Sequence, residues 1–286
     1  MSCASIRWAF NVTNWKPTFD QWKLAVQCVQ KEECDRCYRF VFSEDCKTSM
    51  VGQLLMRKVV SECLGLPYDE IVFSRSSSGK PYLENSENFS FNVSHHGDYC
   101  VLAAERNTSV GIDVMKIEHR GKRSVPEYFS LMRKQFSSSE WDFIMQPGPE
   151  KEQLRRFYRL WCLKESYVKA IGTGIVFDLQ SLSFSCPTPI LLRNITTVNT
   201  KLYEKGQLKS KWLFEETVLD ENHYVAVATQ PIQQIGDEEL RENNIQLRSF
   251  HFLTFNELMQ NSKPFQRIED NFWEDFKSKD EKQRPT

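Results

Sequence analysis

The sequence predicts an α+β fold made of two similar α+β halves in a pseudo-twofold, single-chain arrangement. The first observation is an internal similarity, in which Tyr99–Glu105 (YCVLAAE) resembles Tyr224–Gln230 (YVAVATQ). The second is that a long helical pattern ending at a glycine precedes each segment, at residues 45 to 65 and 153 to 172. A repeated unit of helices and strands accounts for both observations. The predicted parts are a first half at residues 1 to 108, a second half at residues 109 to 230 and an extension at residues 231 to 286.

Length, charge and cysteine content narrow the function classes. The chain has 286 residues and a net charge of -1, so no overall field favours nucleic acid or an anionic membrane as a partner. The nine cysteines are scattered and odd in number, and Cys34–Cys37 is a single C-x-x-C pair, which does not indicate a disulfide framework or a zinc site. The first residues lack a secretory signal pattern, and no run approaches the roughly 20 apolar residues of a membrane span. We expect a cytosolic protein with reduced cysteines.

The first half begins with apolar patterns that predict elements of the hydrophobic core. Residues 5 to 12 predict a strand, and residues 19 to 30 predict a helix with apolar side chains at helical spacing. The charged segment that follows shows no clear pattern. Residues 45 to 65 predict the longest helix of this half, and Gly65 is the expected end of that helix.

A small-residue loop follows a strand that starts at residue 71, and it carries a cation at each end. Its sequence is Arg75-Ser76-Ser77-Ser78-Gly79-Lys80. Backbone N–H groups and two cations in such a loop can bind a phosphate group. The glycine spacing differs from that of a Walker A loop, and a solvated hairpin turn has the same composition. The loop is therefore either a phosphate site or an ordinary turn.

Polar side chains also gather between two strands predicted within residues 89 to 104. Asn92, Ser94, His95 and His96 fall in the predicted turn and can donate hydrogen bonds to an anion. A single histidine in that place would more often bond to its own turn. Four donors next to the following strand favour a ligand site.

The strand at residues 110 to 115 has one apolar face and one face that carries a carboxylate. Valine and isoleucine alternate on the first face, whereas Gly111, Asp113 and Met115 point to the second. A glycine two positions before the aspartate leaves open space beside the carboxylate. We expect a bulky group to occupy that space.

Residues 155 to 174 predict an amphipathic helix with a charged pair beside its apolar stripe, ended by Gly172 or Gly174. Glu165 and Lys169 are four residues apart and lie side by side on the helix. The same pair is common on solvated helix surfaces, where it adds a little stability. Periodicity therefore leaves a structural role and a functional role both open.

Shorter elements complete the prediction. Ser137–Glu140 fits a capping box that starts a short helix. Strands are expected at residues 176 to 184, 200 to 206, 211 to 218 and 223 to 229. The extension carries a strand and a helix start within residues 246 to 259 and aromatic anchors at Phe272, Trp273 and Phe276. The polar composition of residues 277 to 286, which follow these anchors, predicts disorder.

Three segments in this order carry a resemblance to a known family. They are Asn92-Val93-Ser94-His95, Gly111-Ile112-Asp113 and Trp161-Cys162-Leu163-Lys164-Glu165-Ser166-Tyr167-Val168-Lys169. The chain resembles the 4'-phosphopantetheinyl transferases over residues 5 to 230, and its tail is similar to that of the animal cytosolic member. The resemblance implies the fold of that family, with the active site between the halves. It also implies transfer of 4'-phosphopantetheine from coenzyme A to a serine of a carrier domain, which converts apo to holo carrier and releases adenosine 3',5'-bisphosphate.

The resemblance implies roles for individual residues, with Asp113, Glu165 and Lys169 as the catalytic set. Asp113 and Glu165 would bind Mg2+, which prefers carboxylate, phosphate and water oxygens. Glu165 would deprotonate the serine, and Lys169 would neutralise phosphate charge. The residues expected to bind coenzyme A are Arg36, Arg75, Ser76, Ser77, Ser78, Gly79, Lys80, Asn92, Val93, Ser94, His95, Asp113, Glu165 and Lys169.

One departure from the family pattern concerns the metal. Many bacterial members carry a further acid two residues after the aspartate, and this chain has Met115 there. A thioether is a poor ligand for a hard cation. Water and phosphate would then complete the metal shell, with His96 as a neighbour that acts through a water molecule.

The implied partners are apo carrier domains of the kinds found in fatty acid synthase and in aminoadipate-semialdehyde dehydrogenase, which link the protein to fatty acid synthesis and lysine metabolism. We expect a monomer, because two fused halves already form the implied site. A non-catalytic coenzyme A or carrier-binding module would keep the fold without the acids. An unrelated metal-dependent phosphohydrolase would carry more acids or histidines near Asp113.

Overall fold

The computed structural model describes residues 5 to 282 except 77, 78, 80, 85, 87, 120 to 122, 173 to 176 and 233 to 247. The chain forms two compact units. The first unit comprises Met1–Glu87, Val93–Ala104 and His251–Thr286, and the second comprises Asn88–Asn92 and Glu105–Phe250. Among the described residues, every helix is too short or too polar to cross a membrane.

Helices and strands are mixed throughout the described chain, which confirms the predicted α+β class. The helices are α1 (Phe19–Gln27), α2 (Lys31–Tyr38), α3 (Ser43–Leu64), α4 (Val125–Leu131), α5 (Ser138–Ile144), α6 (Glu150–Ile171), α7 (Phe255–Leu258) and α8 (Phe272–Lys277). The strands are β1 (Ser5–Asn11), β2 (Phe73–Arg75), β3 (Pro81–Leu83), β4 (Phe89–His96), β5 (Tyr99–Arg106), β6 (Thr108–Lys116), β7 (Leu182–Ser185), β8 (Lys201–Glu204), β9 (Gln207–Leu208), β10 (Leu213–Asp220), β11 (His223–Pro231) and β12 (His251–Phe252).

The two long helices end where the glycines predict. Helix α3 is followed by Gly65 with φ of 69°, and helix α6 is followed by Gly172 with φ of 73°. Both values lie in the left-handed region, which glycine adopts without steric cost. Ser137 caps helix α5 and forms the predicted capping box with Glu140.

Helix α2 is absent from the sequence prediction. Its eight residues are strongly polar, yet Glu33, Cys34 and Cys37 are buried on one face. A buried glutamate breaks the apolar stripe by which amphipathic helices are recognised. The sequence pattern of α2 is therefore the same as that of a charged loop.

The first unit contains a sheet with the order β12-β1-β5-β4, flanked by helices that bury large aromatic side chains. Strand β12 pairs in parallel with β1, and the Leu253 N–H donates to the Ala9 carbonyl at 2.9 Å. The Phe255 ring stacks on Trp15, with ring centroids 5.1 Å apart. The C-terminal segment is thus part of the core of the first unit.

This C-terminal segment continues across helices α1 to α3. The Phe276 ring stacks on the fully buried Trp22, with centroids 4.0 Å apart. The Lys282 ammonium lies 2.5 Å from a carboxylate oxygen of Asp45, and Phe42 pairs with Asp280 in an isolated bridge. As far as residue 282 the chain therefore has defined contacts where disorder was expected, and residues 283 to 286 lie outside the described residues.

The second unit is built on the antiparallel sheet β10-β11-β6, and helix α6 packs on β6 and β11. Gly111 pairs with Ala228, and Asp113 pairs with Ala226. Directly opposed residues share a sheet face, so three small residues form the surface beneath the helix. This surface lets α6 approach the sheet closely.

The outer edge of β6 is bonded by side chains of β4. The Val110 N–H donates to Ser90 Oγ at 3.3 Å, and the Ile112 N–H donates to Asn92 Oδ1 at 3.0 Å. Edge N–H groups buried without partners would be costly. Side chains take the place of a further strand at this edge.

The cysteines only partly follow the expectation of reduced thiols. The free ones among the described residues are Cys28, Cys34, Cys37, Cys46, Cys100, Cys162 and Cys186. Cys63 is disulfide-bonded, which the scattered spacing of the cysteines did not indicate.

Candidate active site

The open space predicted beside Gly111 is filled by helix α6. A β-carbon built on Gly111 would lie 2.1 Å from the Ser166 carbonyl oxygen and 2.4 Å from the Ala170 nitrogen. The bulky group expected at this point is therefore the backbone of a helix. The glycine allows the helix backbone to touch the strand, which brings the two sequence motifs together.

Asp113 and Lys169 form an ion pair across this contact. Lys169 Nζ lies 2.6 Å from Asp113 Oδ1. The aspartate side chain is 6% exposed and the lysine side chain 28% exposed, so the pair is partly shielded from water. The lysine ammonium thus lies at the edge of a buried carboxylate and remains accessible to a ligand.

Glu165 lies one helical turn before Lys169 and is half-buried. Burial raises the pKa of its carboxyl above the usual 4.5, the charge of Asp113 raises it further, and the charge of Lys169 opposes both. The charges of Asp113 and Lys169 act on this carboxyl because both groups lie near it. Asp113, Glu165 and Lys169 therefore meet in one place.

The thiol of Cys162 fastens the helix to the strand beneath this group. Its Sγ donates to the Asp113 carbonyl oxygen at 3.1 Å, and burial raises the pKa of the thiol well above its usual value. The thiol is thus a hydrogen-bonded core group rather than a nucleophile.

Two neighbouring carboxylates suit a divalent cation, because a cation between them relieves the repulsion of their charges. The described residues contain no group of three or more His, Cys, Asp or Glu side chains that could hold a metal ion. Met115 packs on the core of the second unit. Asp113 and Glu165 each offer carboxylate oxygens, which fit a Mg2+ that also takes phosphate and water oxygens.

Lys164 of the helix motif has a structural place that the sequence pattern did not reveal. Its Nζ lies 2.8 Å from Glu140 Oε2, and both side chains are completely buried. The ammonium also donates to the carbonyl oxygens of Leu179 and Leu182 at 2.8 and 2.9 Å. Burial lowers the pKa of this lysine, and the charge of Glu140 opposes the effect. The pair connects α6 to α5 and to the start of β7.

Replacing Lys164 by methionine is expected to lower the free energy of unfolding by about 3 to 5 kcal/mol, because Glu140 is left buried without a counter-charge. The double variant Lys164→Met with Glu140→Leu should regain part of that loss. Urea unfolding followed by circular dichroism measures both. Equal stability of wild type and Lys164→Met would contradict the argument.

In the first unit, Arg75 is held by Glu33. Arg75 Nε and Nη2 donate to the two carboxylate oxygens at 2.7 and 2.6 Å, and Arg75 Nη1 donates to the Gly79 carbonyl at 2.8 Å. The Gly79 N–H donates to the Ser76 carbonyl at 2.8 Å, with a φ of 80° at Gly79. The predicted Arg75 and Gly79 are thus in contact. Ser77, Ser78 and Lys80 lie outside the described residues.

Arg36 lies on the last turn of α2, three residues after Glu33, and is exposed. Burial raises the pKa of Cys37 to about 11; of the nearby charges, Glu33 raises it further, and Arg36 and Arg75 lower it. The two arginines therefore act on the same thiol. Glu33 was missed because one buried glutamate in a charged segment gives no sequence signal.

The polar residues expected in a turn belong to strand β4 instead. The turn itself is Gly97–Asp98, with Gly97 at φ of 62°. Along the strand Val93 is half-buried, Ser94 buried, His95 exposed and His96 half-buried. Because neighbouring residues of a strand point to opposite faces, Asn92, Ser94 and His96 share one face of β4, and Val93 and His95 share the other.

The chain is similar both to models of protein families and to individual known proteins. Residues 13 to 107 match the family model described as 4'-phosphopantetheinyl transferase, N-terminal, and residues 109 to 228 match that of the 4'-phosphopantetheinyl transferase superfamily. The chain is 40% identical over 283 residues to the L-aminoadipate-semialdehyde dehydrogenase-phosphopantetheinyl transferase of Homo sapiens, covering 96% of this chain and 92% of that protein. It is 35% identical over 238 residues to a phosphopantetheinyl transferase of Thraustochytrium, covering 80% of each. It is 31% identical over 155 residues to a 4'-phosphopantetheinyl transferase of Bacillus subtilis, covering 54% of this chain and 65% of that protein.

Proposed function

Because the chain belongs to the 4'-phosphopantetheinyl transferase superfamily, we propose that Asp113, Glu165 and Lys169 form its catalytic group. The protein is an enzyme that transfers phosphopantetheine to carrier proteins. The observation that carries the assignment of residues is the contact of β6 with α6, at which two carboxylates and an ammonium group meet.

Asp113 and Glu165 are the residues that would hold Mg2+. When bound, the ion neutralises diphosphate charge and polarises the reacting phosphorus centre. Asp113 also orients the Lys169 ammonium, which contacts it at 2.6 Å and is placed to stabilise negative charge on phosphate oxygens. Glu165 accepts the proton of the carrier serine, and its raised pKa makes it a stronger base than an exposed carboxylate.

The proposed donor of the phosphopantetheine group is coenzyme A. Arg36 and Arg75 bind its phosphate groups, since a planar guanidinium matches phosphate geometry. Asn92 takes a positioning role, because its Oδ1 accepts from the strand that carries Asp113. The carriers we propose are apo domains of fatty acid synthase and of an aminoadipate-semialdehyde dehydrogenase, modified in the cytosol by a monomer.

The test is to incubate the protein with coenzyme A, Mg2+ and an apo carrier and to measure the pantetheinyl adduct by mass spectrometry. Asp113→Ala and Glu165→Gln should each lower the rate about 100-fold or more, which is the usual weight of a catalytic acid or base. Glu152→Gln is the matched control, since that side chain is 47% exposed on the same helix and pairs with Arg155 at 3.4 Å. Binding of coenzyme A without adduct would identify a non-catalytic module, and full activity of Asp113→Ala would reject the assigned site.

The Glu165→Gln variant should also be more stable than wild type near neutral pH when Mg2+ is absent. The folded-state pKa of Glu165 is raised, so the folded protein holds this proton more tightly than the unfolded chain. Stability from this group is full below the usual pKa of 4.5 and is lost as pH rises through the folded-state value. Glutamine avoids that loss.

Melting temperatures of the two proteins in a chelating buffer measure the effect. We expect the variant to melt higher near neutral pH and the difference to shrink as the pH falls below 4.5. A difference that is constant across this range would show that the carboxyl of Glu165 is not destabilised by its surroundings.

A further inference from the structure

Glu33 is an acid turned inward on a polar helix. Glu33 is only 9% exposed, whereas Glu32 and Asp35 of the same helix are exposed. Its two carboxylate oxygens accept hydrogen bonds from Nε and Nη2 of Arg75 at 2.7 and 2.6 Å. Gln53 of helix α3 adds a third bond, with its Nε2 at 2.8 Å from Glu33 Oε2. The carboxylate is thus itself held in place.

The hairpin that carries Arg75 is attached to helix α2 at a second point. The Phe73 N–H donates to Gln30 Oε1 at 2.8 Å, one residue before the helix begins. Arg75 Nη1 also donates to the Gly79 carbonyl at 2.8 Å. The guanidinium is therefore constrained on two sides, while the side chain keeps 28% of its surface exposed.

Charge alone gives no reason for a glutamate in this position. If Arg75 binds a phosphate, a carboxylate 2.6 Å away weakens the net attraction. Orientation does give a reason, because an arginine fixed before binding does not lose side-chain freedom when the ligand arrives. The bidentate contact with Glu33 fixes the guanidinium of Arg75 in this way before the ligand binds.

We propose that Glu33 is a positioning residue for coenzyme A binding, which acts by holding the guanidinium of Arg75 in one orientation toward a phosphate group. The proposal rests on the proposed function, in which Arg75 contacts coenzyme A. Glu33 itself touches Arg75 and Gln53.

Kinetics of the full-length enzyme separate orientation from charge. Glu33→Ala should raise the KM for coenzyme A by about twofold to about tenfold, which is the range that the cost of ordering one long side chain on binding gives. Glu33→Gln keeps one acceptor oxygen and should raise it less. Neither variant should change kcat or the KM for the carrier. If the charge of Glu33 mattered instead, both variants would lower the KM for coenzyme A.

The effect must pass through Arg75, so a double-mutant cycle is the decisive measurement. In an Arg75→Ala background, Glu33→Ala should leave the KM for coenzyme A unchanged, because no guanidinium remains to be held. Asp35→Asn, on the exposed face of the same helix, is the control for general disturbance of α2. Circular dichroism and the unchanged carrier KM show that each variant is folded.

The outcomes separate this proposal from the proposed function. Absence of a pantetheinyl adduct with the wild-type enzyme would defeat both. An active wild type with an unchanged or lower KM in Glu33→Ala, or with additive effects of the two substitutions, would overturn the role of Glu33 alone.

Discussion

Replacing Gly111 by alanine is expected to lower transferase activity about 100-fold and the free energy of unfolding by about 3 kcal/mol. The added β-carbon would lie 2.1 Å from the Ser166 carbonyl oxygen and 2.4 Å from the Ala170 nitrogen. Both are backbone atoms, so no side-chain rotation relieves the clash. Helix α6 must move away from β6, which separates Lys169 and Glu165 from Asp113.

The measurements are the adduct assay and urea unfolding, and Gly52→Ala is the matched control. A β-carbon on Gly52 would lie 3.7 Å from Val93 and 3.9 Å from Cys100, which is ordinary contact distance. Gly52 lies within helix α3, where alanine is the better helix former by about 1 kcal/mol. Wild-type activity in Gly111→Ala would mean that close contact between β6 and α6 is not needed for catalysis.

Ending the chain at Phe250 is expected to unfold the first unit. The removed segment contributes buried apolar side chains at Leu253, Phe255, Leu258, Met259, Phe272 and Phe276. Burial of each is worth about 1.5 to 3 kcal/mol, so the sum is about 10 kcal/mol or more, as large as the net stability of a typical domain. The rings of Trp15 and Trp22 would also lose their stacking partners.

Limited proteolysis, circular dichroism and the adduct assay check this prediction. Phe276→Ala is a milder form of the same change and should cost about 3 kcal/mol or more. Lys263→Ala is the control within the segment, because it removes only the exposed ion pair with Asp69. A truncated chain with a wild-type unfolding transition would show that the C-terminal segment is dispensable.

Both predictions concern the contacts that keep the proposed site residues of each unit in position. In the second unit, a residue without a side chain brings the helix to the strand. In the first, the C-terminal segment reaches helix α2, where the Tyr38 hydroxyl donates to the Phe272 carbonyl at 2.9 Å. That helix carries Arg36 and the glutamate that holds Arg75. The phosphate-binding arginines of the proposal therefore depend on a segment more than two hundred residues away in sequence.

Local patterns predicted the elements that depend on near neighbours. Helices α3 and α6, their terminal glycines and the capping box at Ser137 follow from residues within a few positions of each other. The same holds for the alternation along β6, whose apolar face is fully buried. Periodicity and capping are short-range effects, which is why one sequence suffices to read them.

Some local patterns misled for equally physical reasons. Asn92 and Ser94 looked like turn residues but lie in β4, because Asn92 serves the edge of β6 rather than its own backbone. Helix α2 was hidden by Glu33, whose partner Arg75 lies 42 residues later. The space beside Gly111 looked open because the helix that fills it lies far along the chain.

The family motifs predicted Asp113, Glu165 and Lys169 as site residues. The spacing of these residues along the sequence did not predict the contacts between them. Asp113 and Lys169 are 56 residues apart, and their contact exists only because α6 rests on the small residues of β6 and β11. Lys169, which the sequence pairs with Glu165 along the helix, also forms an ion pair with Asp113 of the strand. Local sequence determines which residues can share a face. Packing between distant segments determines which of them touch, because that depends on burial and close approach summed over the whole unit.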